Sequence, residues 1–295
     1  MVRKLQKINE QLGLIKNLDV CSGGCYLYPE ASTEITSCPY CGKARYLNEV
    51  GTAIPKPIAV MSVVSIGAAL AERLLDDDTR ELFDYRERYE GVIHRDGVYQ
   101  DVFSGKVFRE QYVRSGIMDD TRDIGLLVVV DGFQPKYKKK STMTSVCCYI
   151  MSMDPAERYY FDMIHCSSIT DCTLFCRYKN DNVLTLAVIP GPRKPADLMS
   201  FLVPIYEEIK QLGERGMVVE KEGVEVYRCK VHLMGNTGDI PGIAELMNHD
   251  GHMSTNGCRI CDIFGVTHNH AMCFIGEGTL PVSYTHLTLP TTERV

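Results

Sequence analysis

Two aspartates stand at the ends of apolar runs, about a hundred residues apart. Asp131 closes Ile124-Gly125-Leu126-Leu127-Val128-Val129-Val130 and opens Asp131-Gly132-Phe133-Gln134-Pro135. Asp239 lies in Thr237-Gly238-Asp239-Ile240-Pro241, behind a second strand-like stretch. Carboxylates that converge from the ends of two buried strands can hold Mg²⁺ for phosphoryl transfer. Each acid also has a plainer reading. Asp-Gly is a common turn dipeptide, and Asp239 ahead of Pro241 suits a helix cap.

Cysteines offer a second chemistry. Cys21, Cys25, Cys38 and Cys41 follow the pattern C-x3-C-x12-C-x2-C. Zn²⁺ takes four soft ligands in a tetrahedron, and two close pairs joined by a short loop deliver them. Gly23, Gly24 and Gly42 suit the tight turns each pair needs. The spacing therefore predicts a structural zinc ribbon over residues 1–50, with folding coupled to metal. A redox role for Cys38 and Cys41 fits less well, because no βαβ pattern surrounds them. Cys258 and Cys261 precede His268 and His270, a ligand density that suits a second Zn²⁺, with His249, His252 and Cys273 nearby. Unliganded surface histidines are the plainer alternative. Lys136, Lys138, Lys139 and Lys140 form a basic cluster behind Asp131 that suits DNA phosphates or a solvated loop.

Elements of ordinary periodicity must position these residues. Residues 125–130 read as a strand buried on both faces. Residues 143–153 and 183–189 read as second and third strands. Residues 197–212 are amphipathic, with Leu198, Leu202, Ile205, Ile209 and Leu212 on one face. Pro204 is expected to kink that helix or limit its start. Gly213 and Gly216 are expected to stop it. Residues 224–233 read as a fourth strand. Three strands, a helix and a fourth strand, with acids after the first and the fourth, make an α/β skeleton of RNase H-like type. Upstream, residues 51–121 read as a mostly helical linker, helical over 69–90 and extended over 99–112.

Composition sets bounds. The chain has 295 residues, enough for one large or two modest domains. The longest weakly polar stretch, residues 58–75, carries Glu72 and Arg73 and is read as a buried helix, not a membrane span. The basic N-terminus leads to no apolar signal core. Thirteen cysteines without such a signal argue for a reducing, intracellular compartment. A net charge of −6 argues mildly against a dedicated nucleic-acid binder.

The chain resembles the transposases of CACTA (En/Spm-type) DNA transposons, in particular divergent fungal forms. The resemblance rests on Cys38-Pro39-Tyr40-Cys41-Gly42-Lys43-Ala44-Arg45-Tyr46, on Asp131-Gly132-Phe133-Gln134-Pro135 and on Ala187-Val188-Ile189-Pro190-Gly191-Pro192-Arg193-Lys194-Pro195. Thr237-Gly238-Asp239-Ile240-Pro241 and Gly257-Cys258-Arg259-Ile260-Cys261 follow in the same order. These motifs span residues 15–275. The resemblance implies an RNase H-like catalytic domain over 122–280, a Cys/His-rich insertion that begins within it, and an acidic triad binding Mg²⁺. Asp131 would be the first acid and Asp239 the second. Neither Glu245 nor Glu277 suits the third. The implied partners are transposon-end and target DNA in the nucleus, with homo-oligomerisation of the full-length enzyme. Residues 281–295 instead resemble a translated sequencing-library adaptor and read as a non-native tail. The expectation is thus an N-terminal fragment that is inactive alone. The rivals are a non-catalytic DNA-binding or protein-interaction derivative and a metal-dependent nuclease.

Overall fold

The computed structural model describes residues 13–30, 32, 34–47, 55–92, 101–134, 142–155, 183–251, 253–258, 262–268 and 271–274. Two compact units divide the chain, Met1–Asn236 and Thr237–Val295. The architecture is mixed α/β with a mainly antiparallel sheet.

The first unit begins with β1 (Ile15–Val20) and β2 (Ala59–Val64). Three helices follow, α1 (Ile66–Leu75), α2 (Asp77–Leu82) and α3 (Tyr85–Val92). After a 3-10 turn at Val102–Ser104 and a π-helical turn at Phe108–Val113 come β3 (Ile124–Phe133), β4 (Met143–Ile150) and β5 (Val183–Ile189). Then come α4 (Leu198–Arg215), the hairpin β6 (Met217–Lys221) and β7 (Val224–Cys229), and β8 (Val231–Gly238). The six-stranded sheet runs β1-β2-β5-β4-β3-β8. At its edge the Ile124 N–H donates to the Lys230 carbonyl at 2.8 Å. Further along, Leu127 lies against Gly235. Both contacts advance together, so β3 and β8 run the same way.

One face of the sheet is the core. Leu126, Val128, Val130, Val146, Cys148, Ile150, Leu184 and Leu186 are buried. Helix α4 buries Leu198, Phe201, Leu202, Ile205 and Ile209, each contributing about 1.5–3 kcal/mol by leaving water. Asp197 caps it by accepting from the Ser200 N–H, and Gly216 ends it at φ +72°. Helix α1 packs on α4 and β5. Ser65 caps α1, and Glu208 of α4 accepts from both the Ser65 hydroxyl and the Gly67 N–H.

Several expectations need correction. Residues 58–64 are not helical, because β2 occupies them and α1 starts at Ile66. Residues 102–113 are helical turns, not extended pieces, since Phe103, Phe108 and Met118 gather round Tyr89 in a small aromatic core. Strand β3 is not buried on both faces, because Leu127 and Val129 are only half-buried opposite the core side. It also continues past Asp131 to Phe133, with Asp131 paired to Ser145 of β4, so Asp131 opens no turn. Pro204 sits inside α4 and neither starts nor ends it. Gly213 is helical too. Its missing side chain admits the Val231 carbonyl, which a Cβ would meet at 3.0 Å. Residues 224–233 are two strands in two sheets, broken at Lys230.

Asp123 makes that break. Its Oδ1 accepts from the Lys230 N–H at 2.8 Å, and its carbonyl accepts from the Ser152 hydroxyl at 3.1 Å. Asp123 is 2% exposed and its Oδ2 has no hydrogen-bond partner. Burial lifts its carboxyl above the ordinary aspartate range, partly offset by the Lys230 N–H and by the charges of His232 and Arg86. A raised folded-state value means that this group's contribution is full below the ordinary pKa and is lost as pH rises through the raised one. Asp123→Asn keeps the acceptor for Lys230 and removes the charge. It is expected to raise stability at pH 7 by about 1 kcal/mol, because the unpaired buried group is then neutral and the penalty is larger for a charged one. Urea midpoints of both proteins at pH 4 and pH 7 check this, with the gain confined to the higher pH.

In the second unit, α5 (Ile240–Leu246) precedes an antiparallel pair, β9 (Val266–His268) and β10 (Ala271–Cys273). Among the described residues, no helix is long and apolar enough to cross a membrane.

Candidate metal centre

Cys21 follows β1 directly, and the chain turns back so that the Cys21 N–H donates to the Tyr26 carbonyl at 2.9 Å. Inside this turn the Gly24 N–H donates to the Cys21 carbonyl at 2.8 Å. The second pair closes likewise, with Gly42 N–H on the Cys38 carbonyl and Cys38 N–H on the Lys43 carbonyl. Gly24 and Gly42 take φ of +75° and +69°, the left-handed region where glycine is unstrained.

These two turns bring the four thiols together. Their sulfurs all lie within 4.8 Å of one another, and Cys21 Sγ is 3.4 Å from Cys41 Sγ. Zn–S bonds of about 2.3 Å in a tetrahedron require sulfurs about 3.8 Å apart. The Gly23 N–H points at Cys21 Sγ at 3.2 Å, a donor suited to a thiolate. The cluster could hold a metal ion and is compatible with structural zinc. Cys21 and Cys38 are buried against Tyr28. Burial pushes the Cys25 thiol up to about 12 and raises Cys38, whereas the Lys43 backbone N–H brings Cys41 down to about 7. Metal must displace thiol protons here, so its affinity falls as pH falls.

Arg45 was not singled out from sequence as a site residue, although it lies in the second-pair motif. It is 5% exposed and binds Asp19 of β1 through Nε at 2.9 Å and through its terminal nitrogen at 2.7 Å. It also donates to the Ser32 carbonyl and stacks between Tyr28 and Tyr46, with ring centroids at 4.7 and 4.9 Å. One cation thus ties the loop between the cysteine pairs to the sheet. An arginine inside a cysteine motif was the available signal, but its partner Asp19 is distant in sequence.

The remaining candidates are distributed as follows. Asp131 is half-buried in β3, on the face that carries Ser145 and Cys147. Burial and the charge of Asp131 raise the Cys147 thiol, against a hydrogen bond with Thr185. Asp239 is the residue after β8. Its Oδ1 accepts from the Gly242 N–H at 2.7 Å and caps α5, the plainer role the sequence allowed. Cys258 is half-buried and His268 is exposed on β9. Among the described residues neither joins a group of three or more metal-ligating side chains. Cys261, His270, Lys136, Lys138, Lys139 and Lys140 lie outside the described residues, as does the segment 281–295.

No family model matches the chain, and no curated protein matches it.

Proposed function

We propose that the cysteine cluster holds a structural Zn²⁺ and that the chain is part of a cut-and-paste DNA transposase with an RNase H-like core. The observation that carries this reading is the strand arrangement. Strands β3, β4 and β5 form an antiparallel meander, α4 follows, and β8 returns beside β3 in the same direction. Asp131 lies on β3 and Asp239 follows β8 directly. This is the order in which an RNase H-like core carries its first two acids. The motif resemblance to CACTA transposases supports the same assignment, and nuclear DNA is the partner it implies.

In this reading Asp131 and Asp239 are ligands for Mg²⁺. When bound, the ions activate a water or 3′-hydroxyl and stabilise the leaving oxygen of an in-line displacement at phosphorus. The helix cap uses one oxygen of Asp239, and a carboxylate has a second to offer. The family's third acid is assigned to no residue here. Misplacement of a reacting group by ~1 Å can cost on the order of a hundredfold, so the chain alone is expected not to cleave DNA.

The test is Mn²⁺ binding followed by electron paramagnetic resonance, on the zinc-loaded chain and on Asp131→Asn and Asp239→Asn. Each variant is expected to weaken binding roughly tenfold, since affinity in such sites follows ligand charge. Unchanged affinity in both would sink the carboxylate site. A plasmid-nicking assay in Mg²⁺ or Mn²⁺ runs beside it. Robust cleavage abolished by Asp131→Ala would mean that a third acid is present after all. DNA binding through Lys136, Lys138, Lys139 and Lys140 is expected to weaken steeply with salt.

The cap itself favours a second reading, a non-catalytic DNA-binding or protein-interaction derivative. Asn caps a helix as well as Asp does, while Ala costs about 1 kcal/mol. If Asp239→Asn changes nothing and Asp239→Ala only loses stability, the cap is the whole role of this residue.

A further inference from the structure

The first cysteine turn does not stand apart from the rest of the fold. Its Cys25 carbonyl accepts from two successive N–H groups, Ala196 and Asp197, each at 3.0 Å. Those residues end the β5–α4 connection, and Asp197 is the cap of α4. The Leu27 N–H donates to the Ser200 hydroxyl, in the first turn of α4, at 3.1 Å. From the second turn, the Tyr40 hydroxyl donates to Asp197 Oδ2 at 3.3 Å. Gly24 is pressed so close to the connection that a Cβ would meet the Pro190 carbonyl at 2.5 Å. Both cysteine turns therefore touch one short segment, residues 190–200, far away in sequence.

That segment needs them. It leaves β5 through Pro190-Gly191-Pro192, a stretch with two prolines and few backbone donors of its own. Asp197 must hold a cap geometry for an 18-residue helix that covers the sheet. The turns can brace it only while their own shape is fixed. Two left-handed glycines and four thiols, one of them exposed, do not fix it alone, whereas four bonds to one ion do.

We propose that the metal centre is a lock on the start of α4. Metal bound at Cys21, Cys25, Cys38 and Cys41 holds residues 190–200 in place, and their docking in turn tightens the metal. The coupling is reciprocal, as any linkage between two binding events must be. It depends on the four thiols and the docking contacts, and it stands whether or not the chain is a transposase.

Two measurements on the full chain test it. The first is hydrogen exchange with zinc bound and after chelation. Amides of residues 190–202 are expected to lose protection on chelation by at least about tenfold beyond the loss they share with β3 and β4, which follows the drop in global stability. Equal loss everywhere would make the metal a staple of the whole fold, and no loss at 190–202 would leave it isolated. Either overturns the lock. The second uses Tyr40→Phe/Ser200→Ala, which removes two docking hydrogen bonds, together with the Ser200 hydroxyl's bond to the Asp197 carbonyl, and no metal ligand. This variant is expected to bind one equivalent of zinc with affinity lowered on the order of tenfold in chelator competition, the scale of two modest hydrogen bonds. Wild-type affinity in that variant, with its fold intact by circular dichroism, overturns the reciprocal coupling.

Discussion

Cys38→Ser is expected to cost the protein its metal and more than about 4 kcal/mol of stability, the range in which lost metals and disulfides stand out among point mutations. The side chain is 2% exposed and packs with Cys21 and Tyr28. A serine hydroxyl fits the space but is a far poorer zinc ligand than a thiolate, so the loss is of coordination and not of packing. Structural zinc contributes on the order of 10–16 kcal/mol in small peptides that fold only on binding it. Here a six-stranded sheet remains, so a partial loss is the expected outcome. Emission spectroscopy on the purified protein should find one zinc fewer per variant chain than per wild-type chain. Urea unfolding then gives the stability difference. The sign with pH is fixed by the thiols. The metal-bound state has released protons, so the stability that zinc confers rises with pH through neutrality. Without metal, Cys25 and Cys38 have raised values, and the folded chain instead loses stability as pH climbs above the ordinary thiol value of 9.0. Wild-type stability in Cys38→Ser, or no zinc in the reconstituted wild type, would end the zinc assignment.

Gly24→Ala should be almost as damaging, by a different route. Left-handed backbone costs an L-residue roughly 1–2 kcal/mol before any contact is considered. Gly24 sits at φ +75°, and its new Cβ would lie 2.5 Å from the Pro190 carbonyl. That neighbour is backbone between two braced elements and cannot rotate away. Overpacking adds about 1–3 kcal/mol. A total of about 3–4 kcal/mol is expected in urea unfolding of the zinc-loaded protein. Gly42→Ala is the control. It has φ +69° and nothing within 4 Å, so it should cost only the backbone part. Equal losses in the two variants would show that the Pro190 approach contributes nothing.

What was legible in the sequence was what short segments decide for themselves. Cysteine spacing with adjacent glycines anticipated the cluster because each pair sits on one tight turn. Turn geometry depends on a handful of neighbouring φ and ψ angles. Helix α4 was legible for the same reason. Its apolar face repeats every turn, and its cap at Asp197 and stop at Gly216 lie beside it in sequence. Strand β5 was also placed at its observed bounds, 183–189.

What sequence could not decide was where segments meet. β1 falls within the expected ribbon and β2 within the expected helix, yet β2 joins the sheet beside β5 and β1 pairs with β2. Nothing local distinguishes a strand that pairs with a partner over a hundred residues away. The break between β7 and β8 likewise has no turn residue. It exists because a buried carboxylate, Asp123, captures the Lys230 N–H. Arg45 is buried because Asp19 of β1, the Ser32 carbonyl and the rings of Tyr28 and Tyr46 receive it. The cysteines and glycines by themselves determined that four thiols would cluster. Only the tertiary structure decided that the cluster would rest on the start of α4, because that contact joins residues about 170 positions apart and no periodic pattern spans such a distance.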